Sequence, residues 1–328
     1  MATLYVTEQG CKLRKASRRL IVEKEGTTLA EVPLFQVDRV VILGAVQIST
    51  QAMTLLLDGG IDVSFLSVNG RLRGRLVSSD SKNVFLRLAQ HDRARSEAFK
   101  LRTAKGIIRA KIRNQRTLLY RYQRNHPDTA DFAPEVATIS ALCDDLEQKG
   151  TIAALMGVEG AGTGAYFRAF GRMMTGEFRF EGRTRHPPLD PVNALLSLGY
   201  AMVTNELASL LEANGFDPFI GFLHGLQYGR RSLPLDLVEE FRHPVVDTLT
   251  LSLLNKRQFT ADDFIRGEGG AYVLTKEAFK RYLASYEEQL SMPRGDEAQG
   301  YRMIFRAQVE KLEKAVMNDA QYEPYEVR

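Results

Sequence analysis

The pattern of apolar and polar positions divides the chain into two parts near residue 78. Before that point, short segments alternate apolar with polar residues and are rich in β-branched side chains, which predicts strands. The segments are LYVTE, RRLIVEKEG with a turn at Glu25 and Gly26, VDRVVILG, IDVSFLS and RLRGRLV. One short helix is expected among them, in STQAMTLLLDGG, with Ser49 as its N-cap and the glycine pair at its end.

After residue 78 the apolar residues recur every three or four positions, which is typical of helices. The clearest helical segments are VFLRLAQ, AFKLRTAKGIIRAKIRNQRTLLYRY and VATISALCDDLEQ, with a break at NHPDTADF. A further long helix is predicted after RHPPLD, with Asp190 as N-cap and Gly215 at its end. The fold class is therefore α+β with two domains: a β-rich domain at 1–78 and a mainly α-helical domain at 79–328.

Length and composition are those of an ordinary globular protein, with 328 residues and 44% hydrophobic side chains. The sequence shows no apolar run close to the roughly 20 residues that a membrane-spanning helix needs. The start, MATLYVTEQG, lacks the basic and apolar blocks of a signal peptide. We therefore expect a cytoplasmic protein. Cys11 and Cys143 lie far apart and indicate neither a disulfide framework nor a zinc site.

Positive charge is concentrated in one segment, although the formal net charge is only +4. Between Arg93 and Arg124 there are eleven Lys or Arg residues and a single acid, Glu97. Within this segment, five cations fall at helical spacing on one face: Arg102, Lys105, Arg109, Arg113 and Arg116. Such a stripe is either a solvated helix face or a surface for a phosphate backbone, and we favour nucleic acid.

Candidate metal ligands lie further along the chain. His224 shortly precedes Asp236 and Glu239, which are three positions apart at the start of a predicted helix with Ser232 as N-cap. Glu159 lies between glycines at the start of another helical segment, in LMGVEGAGTGAYF. Imidazole and carboxylate ligands with open positions suit Mg²⁺ or Mn²⁺, which are completed by water and substrate phosphates.

Each candidate also has a purely structural interpretation. A single histidine between glycines and apolar residues can be a satisfied core residue, and Asp236 with Glu239 can stabilise a helix N-terminus through its dipole. Glu159 follows a run of apolar residues, so a buried carboxylate there needs a cation, and Arg168 or Arg172 could supply it. Spacing alone leaves both interpretations open.

Several motifs, taken together, resemble a known family. LMGVEG, RHPPLDPVNALLSLGY, GFDPFIGFLHGLQYGRRSLPLDLVEEFRHPVVD and LLNKRQF look like the consecutive motifs of CRISPR-associated protein one, the integrase-endonuclease of CRISPR adaptation. The N-terminal LYVTEQG, VDRVVILGAVQIST and GIDVSFLS resemble the β domain of that family. The resemblance covers nearly the whole chain.

The resemblance implies a metal site in which Glu159, His224 and Glu239 are the ligands of Mg²⁺ or Mn²⁺, with Asp236 as a supporting catalytic acid. Many members of the family carry aspartate where this chain has Glu239, so it leaves open which of Asp236 and Glu239 contacts the metal. Arg185, Arg230 and Arg231 are candidates to hold DNA phosphates.

The resemblance also implies an assembly. The β domain would form a homodimer, and two dimers would be bridged by the small companion, CRISPR-associated protein two. Tyr166 and Tyr200 lie in motif segments, and we expect their rings to pack in the protein core rather than to stack on DNA.

The expected activity is metal-dependent insertion of short double-stranded DNA fragments into a CRISPR array, as a step of antiviral defence. A DNA 3′-hydroxyl attacks a phosphodiester in a transesterification that needs no ATP. Two alternatives remain. One is a general metal-dependent nuclease for branched or single-stranded DNA, and the other is a non-catalytic DNA-binding scaffold.

Overall fold

The structure is a computed structural model that describes residues 3–68, 70, 72–76, 83–128, 131–185, 187–293 and 299–327. The chain divides into two compact units, residues 1–80 and residues 81–328. The segment VSSDSKN, where the sequence predicts the domain boundary, lies almost wholly outside the described residues. Each unit is described by itself below.

The first unit consists of strands around one helix, as the alternating pattern predicts. Its helix, α1, is Thr50–Asp58. Its strands are β1 Thr3–Val6, β2 Lys12–Ala16, β3 Arg19–Lys24, β4 Thr27–Pro33, β5 Arg39–Leu43, β6 Gln47–Ile48, β7 Asp62–Leu66 and β8 Leu72–Leu76.

These strands form two four-stranded sheets, in the orders β1-β5-β7-β8 and β4-β3-β2-β6. In the first sheet, β1, β5 and β7 run parallel and β8 is antiparallel to β7. The inward residues of both sheets form one apolar core that includes Leu13, Leu20, Val40 and Val63, each fully buried. The apolar side of each alternating segment is thereby removed from water.

The local predictions in this unit are confirmed. Ser49 caps α1 by accepting a hydrogen bond from the Ala52 amide at 3.2 Å. Glu25 and Gly26 form the turn after β3, both with positive φ. The strands β2, β4 and β6 were not predicted. β2 and β4 contain several exposed polar residues, and β6 is only two residues long.

The second unit is mainly helical. Its helices are α2 Val84–Arg95, α3 Glu97–Asn125, α4 Ala133–Asp145, α5 Ile152–Arg172, α6 Pro191–Asn214, α7 Ser232–Val238, α8 Thr248–Asn255, α9 Lys276–Ser291 and α10 Tyr301–Asn318. A π-helical turn, Arg242–Asp247, precedes α8. Two short antiparallel strands, β9 Phe264–Arg266 and β10 Tyr272–Leu274, were not predicted.

Three long helices position the candidate site. The helix α3 packs against α4, α5, α7 and the π-helical turn. Asp190 caps α6, as predicted, by accepting a hydrogen bond from the Asn193 amide at 2.8 Å. Thr151, which was not predicted, caps α5. Gly215 ends α6 with a φ of 108°, which a residue with a side chain rarely adopts.

The helix α6 also corrects one expectation. By length and composition it could cross a membrane, contrary to the expectation that no segment of the chain is long and apolar enough. About 61% of its most apolar stretch is buried within this unit, as in the central helix of a folded core.

Two further details differ from the predictions. Ser232 is the first residue of α7 and not its N-cap; the capping position is Arg231, which makes no capping hydrogen bond. The C-terminal segment after α10 is irregular but packs tightly, with Tyr322 and Tyr325 only 1% and 8% exposed.

Candidate metal centre

Asp236 organises the loop that carries His224. Its carboxylate is completely buried and accepts hydrogen bonds from the backbone amides of Phe222, Leu223 and His224, at 2.5, 3.0 and 2.8 Å. The chain can pass this close only because residue 221 is glycine, where a Cβ atom would lie 2.8 Å from Asp236 Oδ2. Both carboxylate oxygens are therefore used within the protein.

His224 is oriented by the same carboxylate. Its Nδ1 lies 2.8 Å from Asp236 Oδ1, and its side chain is 21% exposed. Nε2 makes no hydrogen bond to any described residue. A histidine whose Nδ1 is hydrogen-bonded to a carboxylate presents Nε2 as a ligand, the arrangement common in metal sites. Asp236 therefore orients His224, while its own oxygens are occupied by hydrogen bonds within the protein.

Glu159 lies in the middle of α5 and not at its start. Its Oε1 accepts hydrogen bonds from Lys111 Nζ and, at 3.0 Å, from Thr163 Oγ1. The proposed partners Arg168 and Arg172 are wrong, because the cation comes from α3; Arg172 instead pairs with Glu135 at 2.7 Å. A residue 48 positions away in sequence could not be identified from local spacing.

Glu239 lies at the end of α7, with its side chain 7% exposed. Its Oε1 accepts a hydrogen bond from Arg242 Nε at 3.0 Å. Its Oε2 lies 2.6 Å from Lys111 Nζ, an ion-pair distance, but accepts no hydrogen bond. Burial raises the pKa of Glu239, but the charges of Arg242 and Lys111 outweigh it and hold that pKa well below its ordinary value.

Arg242 packs against a buried network of two tyrosines and Asp247. Its guanidinium lies 4.5 Å from the centre of the Tyr200 ring. Tyr200 and Tyr166 donate hydrogen bonds to the two oxygens of Asp247, at 2.5 and 2.8 Å. Both tyrosines are buried, so their packing in the core is confirmed. Burial raises the pKa of Asp247 to about 6, although the two tyrosine hydroxyls oppose it.

The donor atoms of the site, carboxylate oxygens and an imidazole nitrogen, are of the types that bind a divalent cation. Glu159 and Glu239 converge on one positive charge, and the imidazole of His224 lies near enough to Glu239 to contribute, after Arg242 and Lys111, to lowering its pKa. Within the part of the chain that the structure describes, however, no three His, Cys, Asp or Glu side chains are close enough to hold an ion. The ammonium of Lys111 takes the position of a cation shared by the two glutamates, so the ligand set remains a prediction.

Most of the predicted DNA-binding cations have partners within the protein. Arg102 pairs with Asp319, Arg109 with Glu147 and Arg113 with Glu326. Lys105 donates to the Glu147 carbonyl, Arg116 to Ser140, Arg230 to the Gly225 carbonyl, and Arg231 pairs with Glu212. Arg185 is exposed and makes no hydrogen bond or ion pair with any described residue. Their contact with DNA stays a prediction.

Two other cations were missed as candidates. Arg124 and Lys256 line a cavity of about 870 Å³ that contains no acid among its lining residues. Both are exposed, and neither has an ionic or hydrogen-bonded partner within the described ranges. Lys111 and Arg242 were also missed. The sequence could have indicated Lys111, because it lies on the apolar, buried face of α3 among Ile107, Ile108 and Ile112.

Known proteins are similar to this chain over most of its length. The profile of the family CRISPR associated protein Cas1 matches residues 4–288. A protein of Rhodospirillum rubrum described as CRISPR-associated endonuclease Cas1 2 is 39% identical over 304 residues, which are 89% of this chain and 87% of that protein.

Solved structures show the same fold. A casposase bound to an integration product superimposes with a TM-score of 0.84 at 22% identity, covering 100% of this chain and 95% of the other. A Cas6-RT-Cas1–Cas2 complex matches with a TM-score of 0.85 at 24% identity over 100% of this chain, which spans only 36% of that longer chain. Given the family match over most of its length and the 39% identity, the chain belongs to the CRISPR associated protein Cas1 family.

Proposed function

We propose that this chain is the metal-dependent DNA integrase-endonuclease of CRISPR adaptation, which inserts short duplex DNA into a CRISPR array. The observation that carries the proposal is the convergence of Glu159 and Glu239 on one cation, beside an imidazole that Asp236 holds in a ligating orientation. Nε2 of His224 has no hydrogen-bond partner among the described residues, so this nitrogen is available to a metal.

Glu159, His224 and Glu239 would hold one Mg²⁺ or Mn²⁺. The ion supplies a Lewis acid that lowers the pKa of a hydroxyl and neutralises charge on phosphate oxygens. Asp236 keeps the His224 proton on Nδ1. Arg242 keeps Glu239 ionised and in place through its 3.0 Å hydrogen bond. In the reaction itself, a DNA 3′-hydroxyl attacks a phosphodiester, and the displaced strand leaves with its own 3′-hydroxyl.

Double-stranded DNA is the proposed substrate, both as the incoming fragment and as the repeat. Three cations have no partner among the residues that the structure describes, and they can contact phosphates without first breaking an ion pair: Arg185, Arg124 and Lys256. The paired arginines of α3 would have to exchange a carboxylate for a phosphate. We further propose the homodimer and the companion CRISPR-associated protein two as partners, supported by the fold shared with a chain from a complex described as containing Cas1 and Cas2.

A strand-transfer assay tests the function. Labelled duplex DNA is incubated with a supercoiled repeat-bearing plasmid, Mn²⁺ and the companion protein, and wild type is compared with His224→Ala. We expect label in the plasmid with wild type and at least a hundredfold less with the variant. His91→Ala, which removes an exposed histidine from α2, is the matched control and retains activity.

Other products would identify the alternatives. DNA fragments without joining would make the chain a general nuclease, since water would then be the attacking group. DNA binding without either product in any metal, and unchanged in Glu159→Ala, would make it a scaffold.

A further inference from the structure

Lys111 is the cation at the centre of the candidate site. Its side chain comes from the buried face of α3 and is only 5% exposed. Its ammonium contacts Glu159 Oε1 and lies 2.6 Å from Glu239 Oε2. Burying a lysine costs several kcal/mol unless opposite charges compensate it. The two glutamates provide that compensation, and in return Lys111 brings α5 and the end of α7 to one point.

The charges of this cluster already balance. Glu159 and Glu239 contribute two negative charges, and Lys111 and Arg242 contribute two positive charges. A divalent ion bound to the same carboxylates lies about 2.0–2.2 Å from their oxygens, closer than the ammonium does. Two cations cannot share that position, because their repulsion in a poorly solvated site is strong.

We propose that Lys111 is the resident cation of this site, which holds Glu159 and Glu239 together until a divalent metal displaces it. Lys111 would give up at least one of the two carboxylates when the metal is bound by both. The inference rests on the proposed function, because it takes these two glutamates as metal ligands. It adds a positioning residue that also sets the metal affinity.

The change in metal affinity when the charge of Lys111 is removed distinguishes this role from a merely structural one. If Lys111 only shapes the site, removing its charge disturbs the two glutamates and weakens metal binding. If Lys111 competes with the metal, removing its charge tightens metal binding, although the metal-free protein becomes less stable.

The experiment uses the full-length protein and titrates Mn²⁺ alone by isothermal calorimetry, without DNA. We expect Lys111→Met to bind Mn²⁺ about tenfold more tightly than wild type or better, and to gain more thermal stability from the ion. Lys111→Arg, which keeps the charge, binds no more tightly than wild type. Lys280→Met, which removes a lysine paired with Glu277 on the surface of α9, leaves the affinity unchanged.

Two results would overturn the inference. Equal or weaker Mn²⁺ binding by Lys111→Met, with wild-type binding that is lost in Glu159→Gln, would refute competition while leaving the metal site intact. Absence of Mn²⁺ binding in both wild type and Lys111→Met would refute the metal site itself. Should Lys111→Met fold poorly, Lys111→Gln removes the same charge with a polar side chain and is judged by the same criterion.

Discussion

At the scale of single residues, the second unit contains several ionisable groups that are completely buried. Asp247 is one of them, held by two tyrosine hydroxyls and 0% exposed. Its pKa is raised from the ordinary 3.8 to about 6 because burial disfavours the charge. The folded protein therefore binds this proton more tightly than the unfolded chain does, and the stability linked to it is present at low pH.

Because the pKa of Asp247 is higher in the folded protein, we predict that its contribution to the unfolding free energy decreases as pH rises. As pH rises from about 4 to about 6, wild type loses up to about 3 kcal/mol of unfolding free energy relative to Asp247→Asn. The measurement is urea denaturation of both proteins at pH 4, 5, 6 and 7. The difference between the two proteins isolates Asp247 from other titrating groups, and a difference that does not change with pH would contradict the assignment.

At the scale of elements, α7 and the loop before it form one unit through Asp236. Three consecutive backbone amides and one imidazole converge on a carboxylate twelve residues after His224. A charged acceptor satisfies amides that would otherwise be buried without partners. The short helix therefore determines where His224 lies.

Asp236→Asn should disrupt this unit. An amide group offers only one acceptor oxygen, so its nitrogen would face backbone N–H groups. We expect a loss of about 2–4 kcal/mol of unfolding free energy, and Mn²⁺ affinity reduced about 10- to 100-fold. Chemical denaturation and calorimetry measure the two effects. Asp262→Asn, at an exposed position, is the control; a variant that kept both properties would mean that His224 is oriented by other contacts.

At the scale of the whole molecule, the first unit has exposed apolar side chains that its own core does not cover. Phe35, in the short turn after β4, is 87% exposed, and Leu29 on β4 is 49% exposed. Exposed aromatic residues of this kind are common at protein interfaces. They are consistent with the homodimer that we propose for this unit.

Phe35→Asp should weaken that dimer, because a buried charge replaces an apolar contact. We expect its dissociation constant to rise about tenfold or more, measured by light scattering after size-exclusion chromatography over a range of concentrations. Tyr228→Asp, a fully exposed aromatic residue of the helical unit, is the matched control. Unchanged dimer mass in Phe35→Asp would assign the interface to another surface.

Much of the fold was predictable from local sequence. The change from alternating to helical periodicity, the caps at Ser49 and Asp190 and the end of α6 at Gly215 depend on neighbouring residues. Strands β2 and β4 were not predicted, because they belong to the sheet through pairing with β3 and their own composition does not indicate strands.

The candidate site shows the same division. The sequence by itself predicted the donors, Glu159, His224 and Glu239, through the family that their motifs resemble. Only the tertiary structure decided that Lys111 neutralises the two glutamates, that Asp236 orients His224, and that most of the α3 arginines are already paired. Residue types and their local spacing can be read directly from the sequence. The partner of a buried charge depends on packing between helices that are distant in sequence, and local patterns do not encode that packing.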